Sequence, residues 1–436
     1  MKKNYSAFKS ISFVWFVGIS LFIATACEND ITDGLDSRIT KSNDPPLIES
    51  VSPEGKALSG VSEITIVGSN FSSVIEENLV TFGNGNVAKI LEASPTRLLI
   101  KAPLVSIPAD SDGIRVDIRV AVVGSELPST MFKYELLETL KELYVDQLAP
   151  NQYYGLCVDK NKNIYSSAYS LKPRVYKGEY LLPFKGEPVL YNKKDFTHFS
   201  SLKFGPDGII LGARADKVQA LFQIVPNAKP EVYVILPNNT QVIDFDVDDQ
   251  KNIWVGGVGG KIFSISYPSK QIKEFVFTGS VNAVRVYKDG SQTYLFTSVV
   301  RSGVEKIYRS AINVDGSLGT EEVYFDLSTI YNSGVATRAI TFSEDGVLFV
   351  GNNGIIPVIT IDKNKSVKNL YPELLKADLF NSQKLDELIS FSWGPDDDLY
   401  IVRKREQEFK QSQESFQNIV RVLTQRRGAP YYGRDL

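Results

Sequence analysis

Histidine and cysteine are almost absent from this chain of 436 residues. His198 is the one histidine, and the two cysteines are Cys27 and Cys157. A zinc site normally draws on several histidine or cysteine ligands, and a hydrolytic triad needs a histidine beside its nucleophile. No serine stands at a recognisable spacing from His198. The sequence therefore predicts no catalytic residue of these kinds, no metal site and no cofactor.

Positive charge is not in excess either. The 48 lysines and arginines are outnumbered by 51 acidic residues, which gives a formal net charge of -3. Binding to nucleic acid or to anionic lipid requires clustered positive charge. The composition therefore argues against nucleic acid as a partner, and it requires any link to a membrane to come from something other than surface charge.

Long hydrophobic runs are missing except near the start of the chain. Met1 to Lys9 holds three lysines and no acid, Ile11 to Ile23 is almost wholly apolar, and three small residues precede Cys27. This order is typical of a secretory signal. The apolar run is shorter than the roughly 20 residues that a membrane-spanning helix needs. Residues 1–26 are therefore predicted to be a signal peptide.

The segment resembles a bacterial lipoprotein signal, which implies that Cys27 is acylated after cleavage and ties the protein to a membrane. Ala24 departs from that pattern, which usually has Leu, Val or Ile there, so ordinary cleavage and secretion remain an alternative. Once Cys27 is used in this way, Cys157 has no partner for an intrachain disulfide. Removing residues 1–26 takes away three lysine charges and changes the net charge from -3 to -6.

The next segment, residues 27–44, is polar, acidic and aperiodic, as a flexible tether is. Its acidic residues Glu28 and Asp30 resemble the export signals of outer-membrane lipoproteins that face the exterior in the Bacteroides group. Display on the cell surface is therefore the expectation, with retention on the periplasmic side as the alternative.

From Pro45 the chain changes to short alternating apolar runs separated by Gly, Pro and Asn, the pattern of a small β-sandwich. Residues 45–135 resemble an IPT/TIG domain of the immunoglobulin-like class. The resemblance is carried by Ser52-Pro53, Gly60, Ile64 to Gly68, Asn70-Phe71, Val80 to Gly83 and Ala102-Pro103. It implies a spacer. We expect turns at Gly68 and Gly83, and Phe71 and Phe82 between the two sheets.

The rest of the chain repeats one phrase: an apolar strand, a turn that holds Asp, and a second apolar strand. The turn residues are Asp159, Asp207, Asp248, Asp289, Asp345 and Asp396. A recurrence of 41 to 56 residues with strand chemistry is typical of propeller blades. The phrase resembles NHL and related repeats. The sequence therefore predicts an all-β protein, with an Ig-like sandwich followed by a six-bladed β-propeller over residues 136–428.

Closure of this ring needs one more strand than the last repeat supplies. That repeat has only three strands: Ile389 to Trp393, Leu399 to Val402 and Ile419 to Leu423. A propeller must close to remove its free sheet edges, so we predict that Leu140 to Gln147 forms the fourth strand of the last blade. The polar stretch 403–418 is expected to be a loop or a short helix. No role is assigned to the tail, residues 429–436.

Several residues invite an enzymatic interpretation, and each has a structural explanation. Asp248-Asp249 and Asp396 to Asp398 suggest a two-carboxylate glycosidase, but they lie at the repeated turn, where Asp accepts local backbone N–H bonds. Trp254 and Trp393 repeat core positions of the blades. Cys157 lies in an inner strand, where a buried thiol packs as a small hydrophobe. None of these residues is predicted to be catalytic.

The predicted ligand face is made by the loops that enter the inner strands and those between the second and third strands. Its candidate residues are three tyrosines and four arginines: Tyr153, Tyr154, Tyr169, Arg214, Arg301, Arg338 and Arg403. Four arginines converging on one face would suit a carboxylated or sulfated ligand through forked hydrogen bonds. Arginines scattered on a solvated rim are the alternative.

A second set of candidates lies at the propeller axis. Alignment of the inner strands places Lys203, Asp246 and Arg285 at one equivalent position, shared with Cys157, Thr341 and Ser392. Burying such charges without partners is costly. We therefore expect structural ion pairing between neighbouring blades, with a ligand-lined channel as the alternative.

The sequence as a whole favours a non-catalytic binding protein of the cell envelope. Its resemblance to Bacteroides-type surface lipoproteins implies polysaccharide capture beside an outer-membrane importer, with the sandwich as stalk and the propeller as head. Two alternatives remain. One is a scaffold for protein interactions at the envelope, and the other is a propeller lyase or hydrolase that works without a metal.

Overall fold

The computed structural model describes residues 44–143, 152–169, 173–179, 189–190, 199–214, 219–237, 240–332, 334–375, 387–409 and 412–435. The predicted signal peptide, Cys27, the tether and His198 lie outside these residues. Strands form nearly all of the regular structure, so the predicted all-β class is confirmed. No helix within the described ranges has the length and apolar character needed to cross a membrane.

Two compact units are present among the described residues. The first comprises the described part of Met1–Glu54 together with Thr65–Ile100 and Asp117–Phe132. The second comprises Gly55–Ile64, Lys101–Val116 and the described part of Lys133–Leu436. Two segments from the first 116 residues thus belong to the same unit as the propeller.

The immunoglobulin-like region contains two sheets and a 3-10 turn at Ile75–Glu77. Its strands are β1 (Leu47–Ser52), β2 (Lys56–Leu58), β3 (Glu63–Ser69), β4 (Asn78–Phe82), β5 (Asn86–Val87), β6 (Lys89–Ser94), β7 (Arg97–Lys101), β8 (Gly113–Val122) and β9 (Phe132–Leu137). One sheet has the order β1-β3-β7-β6 and the other β2-β9-β8-β4-β5. Phe71 and Phe82 are buried, as predicted.

One glycine in this region has a different role from the predicted turn. Gly68 lies inside β3, where an added Cβ would stand 1.8 Å from the carbonyl oxygen of Leu47. The pairing of β1 with β3 shifts register between Ile48 and Ser50. Glycine is therefore required because the opposing backbone comes too close for any side chain. Gly83 does lie in a turn, with a positive φ of 55°.

Within the described ranges the propeller has six four-stranded sheets, as predicted. Blades 1 to 3 are formed by β11 (Gln152–Val158), β12 (Asn163–Tyr169), β13 (Pro173–Glu179) and β14 (Val189–Leu190); by β15 (Ser201–Phe204), β16 (Ile210–Ala213), β17 (Ala220–Ile224) and β18 (Glu231–Ile235); and by β19 (Gln241–Val247), β20 (Ile253–Val258), β21 (Lys261–Ile265) and β22 (Ile272–Val276). Pro206–Gly208 forms a 3-10 turn.

Blades 4 and 5 follow the same order. They are formed by β23 (Ser280–Asp289), β24 (Gln292–Arg301), β25 (Val304–Ala311) and β26 (Glu322–Asp326); and by β27 (Thr337–Phe342), β28 (Leu348–Asn352), β29 (Val358–Ile361) and β30 (Val367–Asn369). A 3-10 turn, Leu327–Thr329, and a short helix, α1 (Pro372–Leu375), follow their outer strands. The first strands of all six blades contact one another in a closed ring around the axis.

The sixth blade joins the two ends of the propeller sequence. It comprises β31 (Glu387–Trp393), β32 (Asp398–Phe409), β33 (Ser412–Leu423) and, as its outermost strand, β10 (Leu140–Leu143). The β10 strand pairs antiparallel with Ile419–Val422, so the structure places residues 140–143 where the sequence predicted the closing strand. Residues 144–147 of that prediction lie outside the described part of the chain.

The prediction of a loop or short helix at 403–418 was wrong. Strands β32 and β33 form one long hairpin whose pairing runs from Asp398 opposite Leu423 to Phe409 opposite Ser412. The polar sequence has no alternating apolar face that would indicate a strand. A ladder needs only backbone N–H and C=O groups, and the two strands supply these to each other.

Two of the six turn aspartates, Asp159 and Asp248, accept hydrogen bonds from the backbone of their own turns. The Asp248 carboxylate accepts hydrogen bonds from the amides of Gln250 and Asn252, at 2.9 and 2.8 Å. Its other oxygen accepts a 2.8 Å bond from Nε1 of Trp254. Burial nevertheless raises the pKa of Asp248. Asp159 makes the equivalent backbone bonds in blade 1, which confirms the turn interpretation for both residues.

Candidate functional site

The six aligned inner-strand positions meet at the propeller axis. An internal cavity of about 50 Å³, here the inner chamber, is lined by all six: Cys157, Lys203, Asp246, Arg285, Thr341 and Ser392. Three of these side chains are uncharged. Two of the three, Ser392 and Thr341, accept hydrogen bonds from a backbone or ring N–H group. Ser392 accepts a bond from the amide of Val158 at 3.1 Å, and Thr341 accepts one from Nε1 of Trp393 at 3.1 Å.

Cys157 is part of this packing and not an exposed thiol. It is 3% exposed, and burial raises its pKa well above the usual value. The thiolate, which is the nucleophilic form, is therefore disfavoured. The buried core position predicted for Cys157 is confirmed, and so are those of Trp254 and Trp393.

The C-terminal tail lies against the inner chamber from the side where the inner strands end. Ala429 to Tyr432 line the chamber. The Tyr431 hydroxyl donates to the carbonyl of Val158 at 2.6 Å and also to that of Trp393. Burial raises the pKa of the Tyr431 phenol, so this donor stays protonated. The tail, for which the sequence suggested no role, covers one end of the axis.

A wider opening lies where the inner strands begin. This entry cavity has a volume of about 360 Å³. Its polar and charged lining residues are Tyr154, Ser200, Ser201, Lys203, Asp244, Arg285, Arg338, Glu387 and Ser390. Lys203 and Arg285 line the inner chamber as well, so they form the floor of the entry cavity. It lies on the side of the propeller that the sequence predicted for the ligand face.

The aspartates near the floor are bound to the neighbouring blade. Asp244 accepts hydrogen bonds from the Ser201 hydroxyl at 2.7 Å and from the amide of Val284 at 2.9 Å. Asp246 accepts one from the amide of Val286 at 2.8 Å. Both carboxylates belong to blade 3 and therefore bind the first strand of blade 4. Asp244 is also bound by a side chain of blade 2, that of Ser201.

The floor cations lie near these carboxylates without a short contact. The Lys203 Nζ is 3.5 Å from Asp244, and a guanidinium nitrogen of Arg285 is 3.5 Å from Asp246. Burial lowers the pKa of Lys203, and the positive charge of Arg285 lowers it further, against the opposite effect of the two aspartates. The expected inter-blade pairing is present, but the ion pair of Lys203, at 3.5 Å, is with Asp244 and not with the predicted Asp246.

The rim carries one of the four predicted arginines. Arg338 forms an ion pair with Glu387, with 2.5 Å between its Nε and the carboxylate, and its side chain is 43% exposed. Tyr154 is half-buried and also lines the entry cavity. These two residues are the members of the predicted ligand face that the structure brings to the cavity.

The other residues of that predicted face whose side chains are described do not line the entry cavity. Tyr153 and Arg403 are buried, at 1% and 2% exposure, so they offer no ligand surface. Arg403 contacts Glu142 of the closing strand at 3.3 Å. Arg214 is half-buried and does not line the entry cavity. The side chain of Tyr169 lies outside the described part of the structure.

Arg301 is bound within its own blade. Its guanidinium makes two hydrogen bonds to Glu321, at 2.6 and 2.8 Å, and lies 4.2 Å from the ring centre of Tyr308. The predicted convergence of four arginines on one face is therefore corrected to a single arginine, Arg338, at the cavity rim. The reason is that the guanidinium groups of Arg301 and Arg403 are paired with carboxylates of the fold, those of Glu321 and Glu142.

Two cavity residues were missed by the sequence interpretation. Asp244 stands two residues before Asp246 and so lies on the same face of the strand. The motif Asp244-Phe245-Asp246 could therefore have indicated Asp244 from the sequence. Glu387 opens the first strand of blade 6 and pairs with Arg338. Nothing in the local sequence marks Glu387, because its partner belongs to another blade.

Comparison with known family models identifies the first part of the architecture. Residues 46–135 match the family model of the IPT/TIG domain. No curated protein sequence matches the chain. A solved protein of unknown function from Bacteroides thetaiotaomicron is similar in structure, with 13% identity and a TM-score of 0.49, over 88% of this chain and 98% of that one.

Two further solved structures have sequence identities and TM-scores in the same range. An auxiliary nutrient binding protein from Bacteroides thetaiotaomicron has 12% identity and a TM-score of 0.44, over 87% of this chain and 98% of that one. A gluconolactonase from Xanthomonas campestris has 10% identity and a TM-score of 0.48, over 65% of this chain and 89% of that one. The chain carries an IPT/TIG domain over residues 46–135 and, after it, a six-bladed β-propeller.

Proposed function

We propose that this protein is a non-catalytic binding protein that holds a glycan by one or two sugar units in the entry cavity. The observation that carries the proposal is the cavity itself: about 360 Å³ at the axis, with charged and hydroxyl side chains around it. This volume is at the lower end of the roughly 300–1,000 Å³ typical of small-molecule sites. Sugars present many hydroxyl groups, and such a lining can both donate to them and accept from them.

The hydrogen bonds and ion pairs of the cavity carboxylates favour glycan binding over glycan hydrolysis. A two-carboxylate glycosidase needs one acid that can give up a proton and one carboxylate that can attack or activate water. Asp244 is tied to Ser201 and Val284, and Glu387 is paired with Arg338. Both groups are thus occupied in holding neighbouring blades together.

The binding test uses a panel of neutral and acidic oligosaccharides and isothermal titration calorimetry. We expect at least one glycan to bind, and Arg338→Ala to weaken that binding roughly tenfold or more, as loss of a charged hydrogen bond would. The matched control is Arg426→Ala. Arg426 is also 43% exposed and also ion-paired, with Asp345, but it does not line the entry cavity.

Other outcomes of the same test would point to the alternatives. Conversion of a bound glycan to products would replace the proposal with a metal-independent lyase or hydrolase. Failure of every glycan to bind would contradict the proposal and favour a scaffold for protein interactions. Equal binding by wild type and Arg338→Ala would move the site away from the cavity.

Anchoring is the second part of the proposal. Acylation of Cys27 would hold the protein at the outer membrane, facing the exterior, where a bound polysaccharide can be passed to an importer. The lipoprotein-like order of residues 1–27 supports this. We expect radiolabelled palmitate to label the wild type but not Cys27→Ser, and Cys157→Ser to label like the wild type. Label retained in Cys27→Ser would contradict the anchor.

A further inference from the structure

Two cations, Lys203 and Arg285, occupy the floor of the entry cavity. Their side chains are 13% and 15% exposed, and both line the entry cavity and the inner chamber. A ligand group that reaches the bottom of the cavity therefore meets these two side chains. Because they also line the inner chamber, they lie deeper than the other charged residues that line the entry cavity.

The nearby aspartates do not saturate these cations. Each aspartate accepts at least one backbone amide bond from blade 4, and each lies 3.5 Å from its cation. Charge-assisted hydrogen bonds from nitrogen to carboxylate are usually about 2.7–2.9 Å long. Arg285 also donates through Nε to the carbonyl of Ile340 at 3.0 Å. A guanidinium has five N–H donors, so Arg285 retains capacity for another acceptor.

The electrostatics of the floor favour an incoming anion. Burial, and next the charge of Arg285, lower the pKa of Lys203 despite the two aspartates, so an incoming anion would stabilise the ammonium. The cations Lys203, Arg285 and Arg338 line the entry cavity with the carboxylates of Asp244 and Glu387, and Asp246 lies 3.5 Å from Arg285 at the floor. Cations and carboxylates are therefore equal in number, and the burial of the two floor cations is what favours an anion.

We propose that Lys203 and Arg285 form a carboxylate-binding floor, and that the glycan is therefore an acidic one, built of uronic acid units. This inference rests on the proposed function and specifies its ligand class. A carboxylate has two oxygens, one for the Lys203 ammonium and one for the free donors of the Arg285 guanidinium. The sugar hydroxyls would remain nearer the opening, beside Tyr154 and Arg338.

The test compares an oligosaccharide of galacturonic acid with its neutral galactose counterpart, by calorimetry on the full mature protein. We expect the acidic ligand to bind at least tenfold more tightly, and this preference to shrink as salt is added. Lys203→Met should weaken binding of the acidic ligand by a larger factor than binding of the neutral ligand, and so remove most of the preference. Lys203→Gln serves as a second variant, and thermal unfolding verifies that each variant is folded.

A matched control separates the floor from a general charge effect. Lys261 is ion-paired with Glu274 at 2.6 Å and does not line the entry cavity. Lys261→Met removes the same charge from the protein, and we expect it to preserve the preference for the acidic ligand. A sulfated galactose oligosaccharide is tested in the same way. Tighter binding of the sulfated ligand than of the uronate would overturn the carboxylate assignment.

The remaining outcomes distinguish this inference from the proposed function. Equal binding of acidic and neutral glycans, in wild type and in Lys203→Met, would overturn the carboxylate floor and leave glycan binding standing. Binding of free glucuronate alone, lost in Lys203→Met, would support the floor and contradict glycan capture. If neither the oligosaccharides nor free glucuronate bind, both proposals fail.

Discussion

Replacing Leu143 by alanine should lower the free energy of unfolding by roughly 2–5 kcal/mol, the usual cost of a buried Leu-to-Ala change. Leu143 lies on the closing strand β10 and is 0% exposed. It belongs to the same buried cluster as Leu156 of blade 1 and Tyr400 and Ile419 of blade 6. The substitution therefore removes contacts exactly where the first and last parts of the propeller sequence meet.

Denaturant unfolding followed by tryptophan fluorescence measures this effect, and Val276→Ala provides the control. Val276 ends the outermost strand of blade 3 and is 90% exposed, so its truncation should change stability by no more than about 0.5 kcal/mol. A Leu143→Ala protein as stable as the control would mean that β10 contributes little to closing the ring.

Replacing Arg434 by alanine should have an effect of similar size, roughly 2–4 kcal/mol, because buried acceptors lose their donor. The Arg434 side chain is 1% exposed. It donates to the carbonyls of Gly394, Gly428 and Ala429 at 2.9, 2.7 and 2.8 Å. These bonds attach the tail to the turn of blade 6 and hold it in place beside the inner chamber.

A residue just before the tail provides a matched control for that experiment. Arg427 contacts the same carboxylate as Arg434, that of Asp435, but its side chain is 51% exposed. Arg427→Ala should cost at most about 1 kcal/mol, as expected for an exposed ion pair. Thermal unfolding of both variants gives the comparison. Similar losses for the two would show that the ion pair, and not the buried carbonyl bonds, stabilises the tail.

Much of the propeller could be predicted because its information is local and repeated. The Asp turns recur with apolar strands on either side, and two of the aspartates, Asp159 and Asp248, bind amides within four residues of themselves. The closing strand could also be predicted, by counting strands against the requirement that the ring has no free edge. Both arguments use only chain order and strand chemistry.

The site was predicted less well, because it depends on which side chains meet across blades. Arg301 and Arg403 occupy the kinds of loop and strand end that the sequence suggested, yet their guanidinium groups contact Glu321 and Glu142. The distance in sequence between Arg403 and Glu142 gives no hint of that contact. The hairpin of β32 and β33 was missed for a related reason, since polar residues on both faces leave no periodic signal.

The sequence by itself determined the strand chemistry, the six repeats, the immunoglobulin-like region and the need for a closing strand. Only the tertiary structure decided which charges face the entry cavity, that Lys203 and Arg285 form its floor, and that Tyr431 and Arg434 hold the tail across the other end. The physical reason is that secondary structure follows from neighbours along the chain, whereas a binding site at a propeller axis is assembled from one strand of each blade.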